Sequence, residues 1–294
     1  MGHILKNKNL EIHIDLPLEN YHFSRFDWTG KIVSVKFQNV QISGIEITDS
    51  ENENFIGKGF YNEFGFNTPL GFNDIKVGDW FHKIGVGLLK KEDDQYLFNK
   101  NYQIQPANFK VFTEQNRVLI ICESKALNGY SYLLKKEIEV HENSFIINYD
   151  LKNTGEKEII TDEYVHSFIA VNNDSIGSNY SLKFPFQLMP HLFEETVNPE
   201  QKVDIEKNEI KFNSSPKEQF FFSYLSGRNA VDAAWELINL KNKVGISETG
   251  NFQTKKVNLW GWKHVISPEL FFNIFISPNQ SVQWSRTFQV YKTK

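Results

Sequence analysis

The chain has 294 residues, which is enough for a large hydrophobic core and allows one or two domains. Apolar residues make up 40% of it and charged residues 23%, the balance of an ordinary globular protein. The formal charge of -4 excludes the strongly basic surface with which many proteins bind nucleic acid.

The N-terminal residues MGHILKNKNLEIHID lack the apolar core of a signal peptide. No apolar run in the chain approaches the ~18 residues that a membrane helix needs. Cys122 is the only cysteine and lies in the strand-like run RVLIICESK, so we predict a buried thiol rather than a catalytic one. We therefore expect a cytoplasmic protein that does not bind a membrane.

Two segments in the N-terminal third carry candidate ligand-binding residues. Arg25 and Asp27 lie in SRFDW, where a cross-strand ion pair would also explain them. Segment 62–87 is broken repeatedly by glycine, proline and asparagine, and we predict long loops between short strands there. Loops of this length are often functional, which makes Glu63, His82 and Lys83 candidates, although polar residues are common in any loop.

Residues 108–171 are predicted to form a series of strands. NFKVFTEQNRVLIICES contains two apolar runs that meet at a turn at 114–116, and further turns follow at 141–143 and 153–156. In the strand between the last two turns, Phe145, Ile147, Tyr149 and Leu151 share one face. This period of two is typical of a half-buried strand.

The C-terminal stretch ELFFNIFISPNQSVQWSRTFQVY predicts an apolar strand, a turn and an alternating strand. Val282, Trp284, Phe288 and Val290 share one face of the last strand, and Arg286 interrupts that face. No segment has clear helical periodicity. We predict a single all-β domain over residues 1–294, built as a large antiparallel two-sheet sandwich.

The sequence lacks several motifs of catalytic chemistry. Its eight histidines are scattered, without an HExxH motif or a Cys–His spacing, so we expect no metal site. GVG at 85–87 is not followed by the Lys-Ser/Thr of a phosphate-binding loop, and no GxSxG elbow occurs. Paired proton-transfer groups remain, and we expect no cofactor.

His166 lies in TDEYVHSFIAVNN, where Tyr164, His166 and Phe168 point to one side of a predicted strand. Because the opposite side is apolar and faces the core, His166 would lie on a surface with two aromatic rings. A histidine there suits a sugar site. A structural histidine bonded to a carbonyl group is the alternative, and the strand alone favours it.

Glu269 follows Pro268 and precedes an apolar run. Burial there would raise the pKa of this carboxyl toward neutrality and suit it to act as a base. Since proline cannot donate to a strand ladder, we expect a sheet edge or a bulge at this point. An exposed glutamate at the start of a strand is the alternative.

These two stretches resemble a known family. SFIINYDLKNTGEKEIITDEYVHSFIAV and VISPELFFNIFISPNQSVQWSRTFQVY are similar to the central and closing segments of aldose 1-epimerase-like proteins, the galactose mutarotase-like superfamily. The resemblance implies the family's large β-sandwich (supersandwich) fold, with His166 as catalytic acid and Glu269 as catalytic base. YHFSRFDWTGKIVSVKFQN, GKGFYNEFG and WFHKIGVGLLKK also resemble the opening segments of an uncharacterised subgroup.

The family's N-R-I and H-L-H-G-G signatures are absent, and YNEFG and FHKIG stand in their approximate places. Either His82 or Lys83 could therefore replace the second family histidine. In the last third, Trp260, Trp262 and His264 alternate toward one face, where they would either bind a sugar or pack on the sheet.

The resemblance implies an isomerase that opens and closes the ring of a monosaccharide or short sugar. We expect Glu269 and a protonated His166 to line one cleft within roughly 8 Å of each other, with modest pKa shifts that set both near neutral pH. A sugar-binding protein without catalysis, built on the same fold, is the alternative function.

Overall fold

The computed structural model describes residues 2–47, 53–67 and 69–294. Nearly all of its regular structure is β-strand. The strands of the first half are β1 (His3–Lys6), β2 (Leu10–Asp15), β3 (Lys31–Phe37), β4 (Val40–Gln41), β5 (Phe60–Phe64), β6 (Trp80–Lys83), β7 (Gly87–Lys90), β8 (Ile104–Pro106), β9 (Asn108–Thr113), β10 (Arg117–Glu123), β11 (Tyr132–Val140) and β12 (Ser144–Asn153). Those of the second half are β13 (Ile159–Ser167), β14 (Tyr180–Lys183), β15 (Thr196–Val197), β16 (Val203–Ile205), β17 (Glu209–Phe212), β18 (Phe220–Phe222), β19 (Val231–Asn239), β20 (Val244–Thr254), β21 (Val257–Trp262), β22 (Val265–Leu270), β23 (Phe272–Ile276) and β24 (Ser281–Lys292). Short 3₁₀ helices cover Glu53–Phe55, Phe72–Asp74, Val171–Asn173 and Pro190–Leu192.

Two large antiparallel sheets form the body of the molecule. A seven-stranded sheet has the order β1-β2-β3-β5-β13-β23, with β4 paired to β3. A ten-stranded sheet has the order β16-β17-β14-β19-β20-β24-β12-β11-β10-β9. The predicted all-β, antiparallel sandwich is confirmed, and two smaller sheets, β15-β18-β21-β22 and β6-β7-β8, add to it.

The core lies between the two large sheets because each presents an apolar face to the other. Phe60 on β5 packs edge-on against Phe145 on β12 and Phe288 on β24, with ring centroids 5.4 and 5.1 Å apart. The predicted alternation along β12 is confirmed, since its odd-numbered side chains from Phe145 to Leu151 are all buried. Cys122 on β10 is buried as well, as predicted.

The hairpins predicted in the middle of the chain form only in part. β9 pairs with β10 and β11 pairs with β12, as expected. The turn at 153–156, however, leads from the ten-stranded sheet to the seven-stranded one, so β12 and β13 do not pair. The Asn153 amide secures this crossing, because it donates to the carbonyl groups of Lys157 (2.8 Å) and Ile276 (2.9 Å).

Arg286 interrupts the apolar face of β24 because it belongs to a buried ionic network. Its guanidinium lies 2.7 Å from Glu163 Oε2 on β13 and 2.6 Å from Glu248 Oε1 on β20. All three side chains are fully buried, and Trp235 and Trp284 donate indole hydrogen bonds to the two carboxylates. The network therefore ties the two large sheets together. Burial raises the pKa of Glu248, although the positive charge of Arg286 lowers it in part.

Segment 62–87 contains short strands and loops, as predicted, but the placement of three candidates in loops was wrong. Glu63 lies on β5, His82 and Lys83 lie on β6, and all three side chains are buried. A strand fixes such side chains more firmly than a loop would. Among the described residues, no helix is long and apolar enough to cross a membrane.

Candidate active site

His166 and Glu269 meet in the wall of a cavity of about 410 Å³. His166 Nε2 lies 3.4 Å from Glu269 Oε1, although the two residues belong to different sheets. Both side chains are almost fully buried, with 3% and 6% of their surfaces exposed. This distance lies within the limit of roughly 8 Å that was expected from hydrogen-bond reach, and the two groups touch each other directly.

The alternation of β13 places His166 in this cavity. Val165 points into the core between the sheets, whereas Tyr164 and His166 line the cavity. The His166 ring stacks on Phe168 with centroids 4.1 Å apart, and the edge of Trp260 approaches it to 5.2 Å. His166 Nδ1 has no hydrogen-bond partner among the described residues. The alternative of a structural histidine whose Nδ1 is bonded to a carbonyl group is therefore not observed among these residues.

Glu269 lies on β22, which is an edge strand of the four-stranded sheet. Pro268 is therefore accommodated at an edge, as predicted. Glu269 stands opposite Asn258 on β21 and hydrogen-bonds with that side chain. Burial raises the pKa of Glu269 to about 8, even though the charges of Arg25 and Lys256 lower it in part. The carboxyl is consequently protonated in most molecules at pH 7.

The charge state of His166 differs from the expected one. Burial holds the pKa of His166 well below its ordinary value, and the positive charge of Arg25 lowers it further. The imidazole is therefore neutral at pH 7, instead of protonated. The two shifts together favour the uncharged form of each group, with the proton on Glu269 and none on His166 Nε2.

Arg25 extends into the same cavity from the segment between β2 and β3. Its Nε donates to Glu63 Oε2 at 3.0 Å, and its Nη1 donates to Glu46 Oε1 at 3.2 Å. The Tyr164 hydroxyl donates to the same Glu63 oxygen at 2.7 Å. Glu63 thus holds Arg25 and Tyr164 side by side in the cavity wall while remaining behind it.

The suggested ion pair between Arg25 and Asp27 was wrong. Asp27 points away from the cavity and accepts hydrogen bonds from the Thr29 backbone and from Lys136, whose Nζ lies 3.2 Å from Asp27 Oδ2. Neither Arg25 nor Asp27 lies in a strand. The two side chains therefore lack the regular spacing on which a cross-strand pair depends.

His82 and Lys83 point in different directions because they are neighbours on one strand. Lys83 Nζ lies 3.3 Å from Glu63 Oε1 and 3.0 Å from the Tyr96 hydroxyl, directly behind the cavity wall. His82 Nε2 instead lies 3.4 Å from the carbonyl oxygen of Leu127, and burial lowers the pKa of His82 to about 4. Of the two, only Lys83 contacts the network of the site, and neither lines the cavity.

Of the three aromatic candidates that precede Glu269 in sequence, one lines the cavity and two do not. Trp260 lines the cavity, and its indole Nε1 donates to Gln219. Trp262 donates to the carbonyl oxygen of Lys217 at 2.7 Å, and His264 Nε2 lies 3.0 Å from the carbonyl oxygens of Ile45 and Glu46. Trp262 and His264 therefore pack on loops outside the cavity.

Sequence reasoning missed several residues of the cavity wall. Asn258 and Phe271 line it, beside Phe66 and Phe98 from the N-terminal third. Asn258 could have been found, because it lies two positions before Trp260 on the same face, whereas Phe66 and Phe98 come from loops without a periodic signal. Tyr164, which the predicted alternation placed on the same side as His166, lines the cavity as well.

In the described ranges, no three His, Cys, Asp or Glu side chains converge as a metal site would require. The polar groups of the cavity wall are instead suited to hydrogen bonding and proton transfer.

Comparison with known proteins gives similarity at the level of structure alone. No protein-family model matches the chain, and no curated protein matches it. The Slr1438 protein from Synechocystis matches with a TM-score of 0.60 at 12% identity, over 100% of this chain and 96% of that one. A galactose mutarotase-like protein from Clostridium acetobutylicum matches with a TM-score of 0.59 at 12% identity, over 99% and 95%.

A GalM/aldose epimerase homologue from C. elegans matches with a TM-score of 0.53 at 11% identity, and the match covers both chains completely. Such low identities show a shared fold and leave activity to be argued from the site. The chain has the fold of aldose 1-epimerase-like, galactose mutarotase-like proteins.

Proposed function

We propose that this protein is a carbohydrate-active isomerase that interconverts the anomers of an aldose by acid–base ring opening. The observation that carries the proposal is the buried contact between His166 and Glu269 in a cavity wall. Perturbed titratable groups in a cleft are characteristic of catalytic sites. Solved structures of the same fold that are named as epimerase homologues or mutarotase-like proteins support a sugar as the ligand.

The proposed reaction needs one proton acceptor and one proton donor. Glu269 takes the proton of the anomeric hydroxyl while His166 gives a proton to the ring oxygen. The bond between the anomeric carbon and the ring oxygen breaks, and the open chain has a carbonyl group. Rotation about the adjacent carbon–carbon bond and closure on the other face give the second anomer. The reverse transfers restore both residues, so the reaction requires no cofactor.

The resting proton on Glu269 must first move to His166 in this scheme. The distance of 3.4 Å between the two groups permits a direct transfer after a small approach. A sugar hydroxyl that donates to Glu269 would stabilise the carboxylate and so favour the transfer. Since the two groups exchange one proton, the pair titrates as a unit.

Direct assay of anomer exchange tests the proposed function. We expect the protein to accelerate the approach to equilibrium of freshly dissolved pure anomers, measured by polarimetry against the spontaneous rate. Calorimetry on the same sugars measures binding separately. Binding without acceleration would overturn the isomerase and support the alternative, a carbohydrate-binding protein, which the aromatic wall of Trp260 and Phe271 also suits.

The pH dependence of kcat/KM should have two limbs. Above the pKa of about 8 the pair loses its shared proton, so the rate should fall as the pH rises through this value. At low pH the neutral His166 takes up a second proton, and because its pKa lies well below its ordinary value this acid limb should also lie well below pH 6.5. Exchange NMR between pH 4 and 10, corrected for spontaneous anomerisation, measures both limbs. A kcat/KM that stays constant from pH 7 to 10 would contradict a role for the shared proton.

A single domain over residues 1–294 and a cytoplasmic location remain predictions from the sequence.

A further inference from the structure

An apolar stripe leads away from the His166–Glu269 pair across the four-stranded sheet. Val197 on β15 stands opposite Phe221 on β18, and Phe221 stands opposite Trp260 on β21. Residues directly opposite each other in antiparallel strands point to the same face. All three side chains line the cavity that holds His166 and Glu269.

The stripe is continuous with the proposed catalytic pair at one end and with solvent at the other. Trp260 approaches the His166 ring to 5.2 Å. Two strand spacings, about 9.5 Å in all, separate Trp260 from Val197. Val197 is 38% exposed, so the outer end of the stripe is open. This length leaves room for a second ring beyond the one at the catalytic pair.

The volume of the cavity agrees with this length. A pyranose displaces roughly five or six water molecules, or about 170 Å³ at ~30 Å³ for each water. The cavity of about 410 Å³ is therefore larger than a single sugar ring requires.

The wall also has the mixed chemistry that a sugar presents. A pyranose has apolar C–H faces and a rim of hydroxyl groups, which pack on apolar or aromatic side chains and bond to polar groups beside them. Gln219 and Glu195 have exposed side chains next to the stripe, and Gln219 accepts a hydrogen bond from Trp260 Nε1 at 3.4 Å. These two side chains can bond to the hydroxyl rim of a sugar that packs on the stripe.

We propose that the substrate is the reducing end of an oligosaccharide. The terminal ring lies at His166 and Glu269, and the next sugar ring lies on the stripe formed by Trp260, Phe221 and Val197. This inference rests on the proposed function, since it names the substrate class of the same site.

Paired sugars that share a reducing end test the inference. Anomer exchange is measured by exchange NMR for D-glucose against maltose and cellobiose, and for D-galactose against β-1,4-galactobiose. For at least one pair we expect a kcat/KM about tenfold higher for the disaccharide, because the second ring buries apolar surface on the stripe. Calorimetry on the same sugars should give the same order of affinity.

Two variants locate the effect on the stripe. Phe221→Ala should lower the ratio of disaccharide to monosaccharide kcat/KM about tenfold, because one aromatic surface is lost. Val197→Asp alters an exposed position on an edge strand, so it tests the stripe even if Phe221→Ala fails to fold. Phe112→Ala is the matched control, since Phe112 is 53% exposed on β9 and lies outside the cavity.

The outcomes separate the two proposals. Exchange of monosaccharides and disaccharides at equal kcat/KM, or a ratio that neither stripe variant changes, would overturn the inference and leave the isomerase in place. If no sugar is exchanged faster than spontaneously, the isomerase is overturned. In that case, tighter calorimetric binding of the disaccharide, weakened by Val197→Asp, would still support the stripe as a sugar site, and equal binding of both sugars would overturn it.

Discussion

Glu269→Gln and His166→Asn are each expected to reduce catalysed anomer exchange to the spontaneous rate. Each variant removes one of the two groups that exchange a proton with the sugar in the proposed mechanism, and general acid–base assistance is typically worth ~10²–10⁴ in rate. Polarimetry of a pure anomer, or exchange NMR at equilibrium, measures the loss. A normal rate in either variant would remove that residue from the mechanism.

Matched controls separate this loss from misfolding. Glu142→Gln and His191→Asn make the same chemical changes at exposed positions and should keep the full rate. The pKa of Glu269 is raised to about 8 in the folded state, so the protonated carboxyl stabilises the fold and its ionisation opposes folding. The stabilisation is complete below pH 4.5 and is lost as the pH rises from 4.5 through 8. Glu269→Gln removes that ionisation, so the variant should fold and resist denaturation at pH 9 at least as well as the parent.

Arg286→Met is expected to have the largest effect on stability. It leaves the buried carboxyl groups of Glu163 and Glu248 without their shared counter-charge. Removal of one partner from a buried ion pair typically costs about 3–5 kcal/mol. Urea denaturation followed by tryptophan fluorescence measures the change in the free energy of unfolding.

Two further variants identify the cause of that change. Arg228→Met makes the same substitution at a side chain that is 61% exposed, and it should leave the urea midpoint close to that of the parent. Adding Glu163→Gln and Glu248→Gln to Arg286→Met removes the unpaired charges and should restore part of the lost stability. A triple variant no more stable than Arg286→Met would show that packing, and not charge, carries the cost.

The strands could be predicted because their signal is local. Alternation along β12 and the turn residues around it define a half-buried strand without reference to the rest of the chain. The strand with which each one pairs cannot be predicted from such a local signal. The turn at 153–156 has the composition of a hairpin turn, yet it crosses between the two large sheets, because the face that β13 buries is completed by residues far away in sequence.

The site could be predicted only in part for the same reason. The catalytic roles of His166 and Glu269 were assigned from a family resemblance, since the strand around His166 favours a structural role when taken alone. The contact of Arg25 with Glu63 joins β5 to a segment without periodicity, and the nearer Asp27 was the wrong partner. The direction of the His166 pKa shift depends on burial and on Arg25, and both are products of the complete fold.

The four-stranded sheet has a consequence for how this protein could acquire new substrates. Glu269 lies on β22 at one edge of the sheet, whereas Val197 lies on β15 at the other, with Phe221 on the strand between β15 and β21. In the proposed site, the base and the outer end of the surface for the second sugar ring therefore lie at opposite edges of this sheet. Since substitutions at exposed positions cost little stability, we expect sequence drift along the edge strand β15 to change sugar selectivity while the acid–base pair is retained.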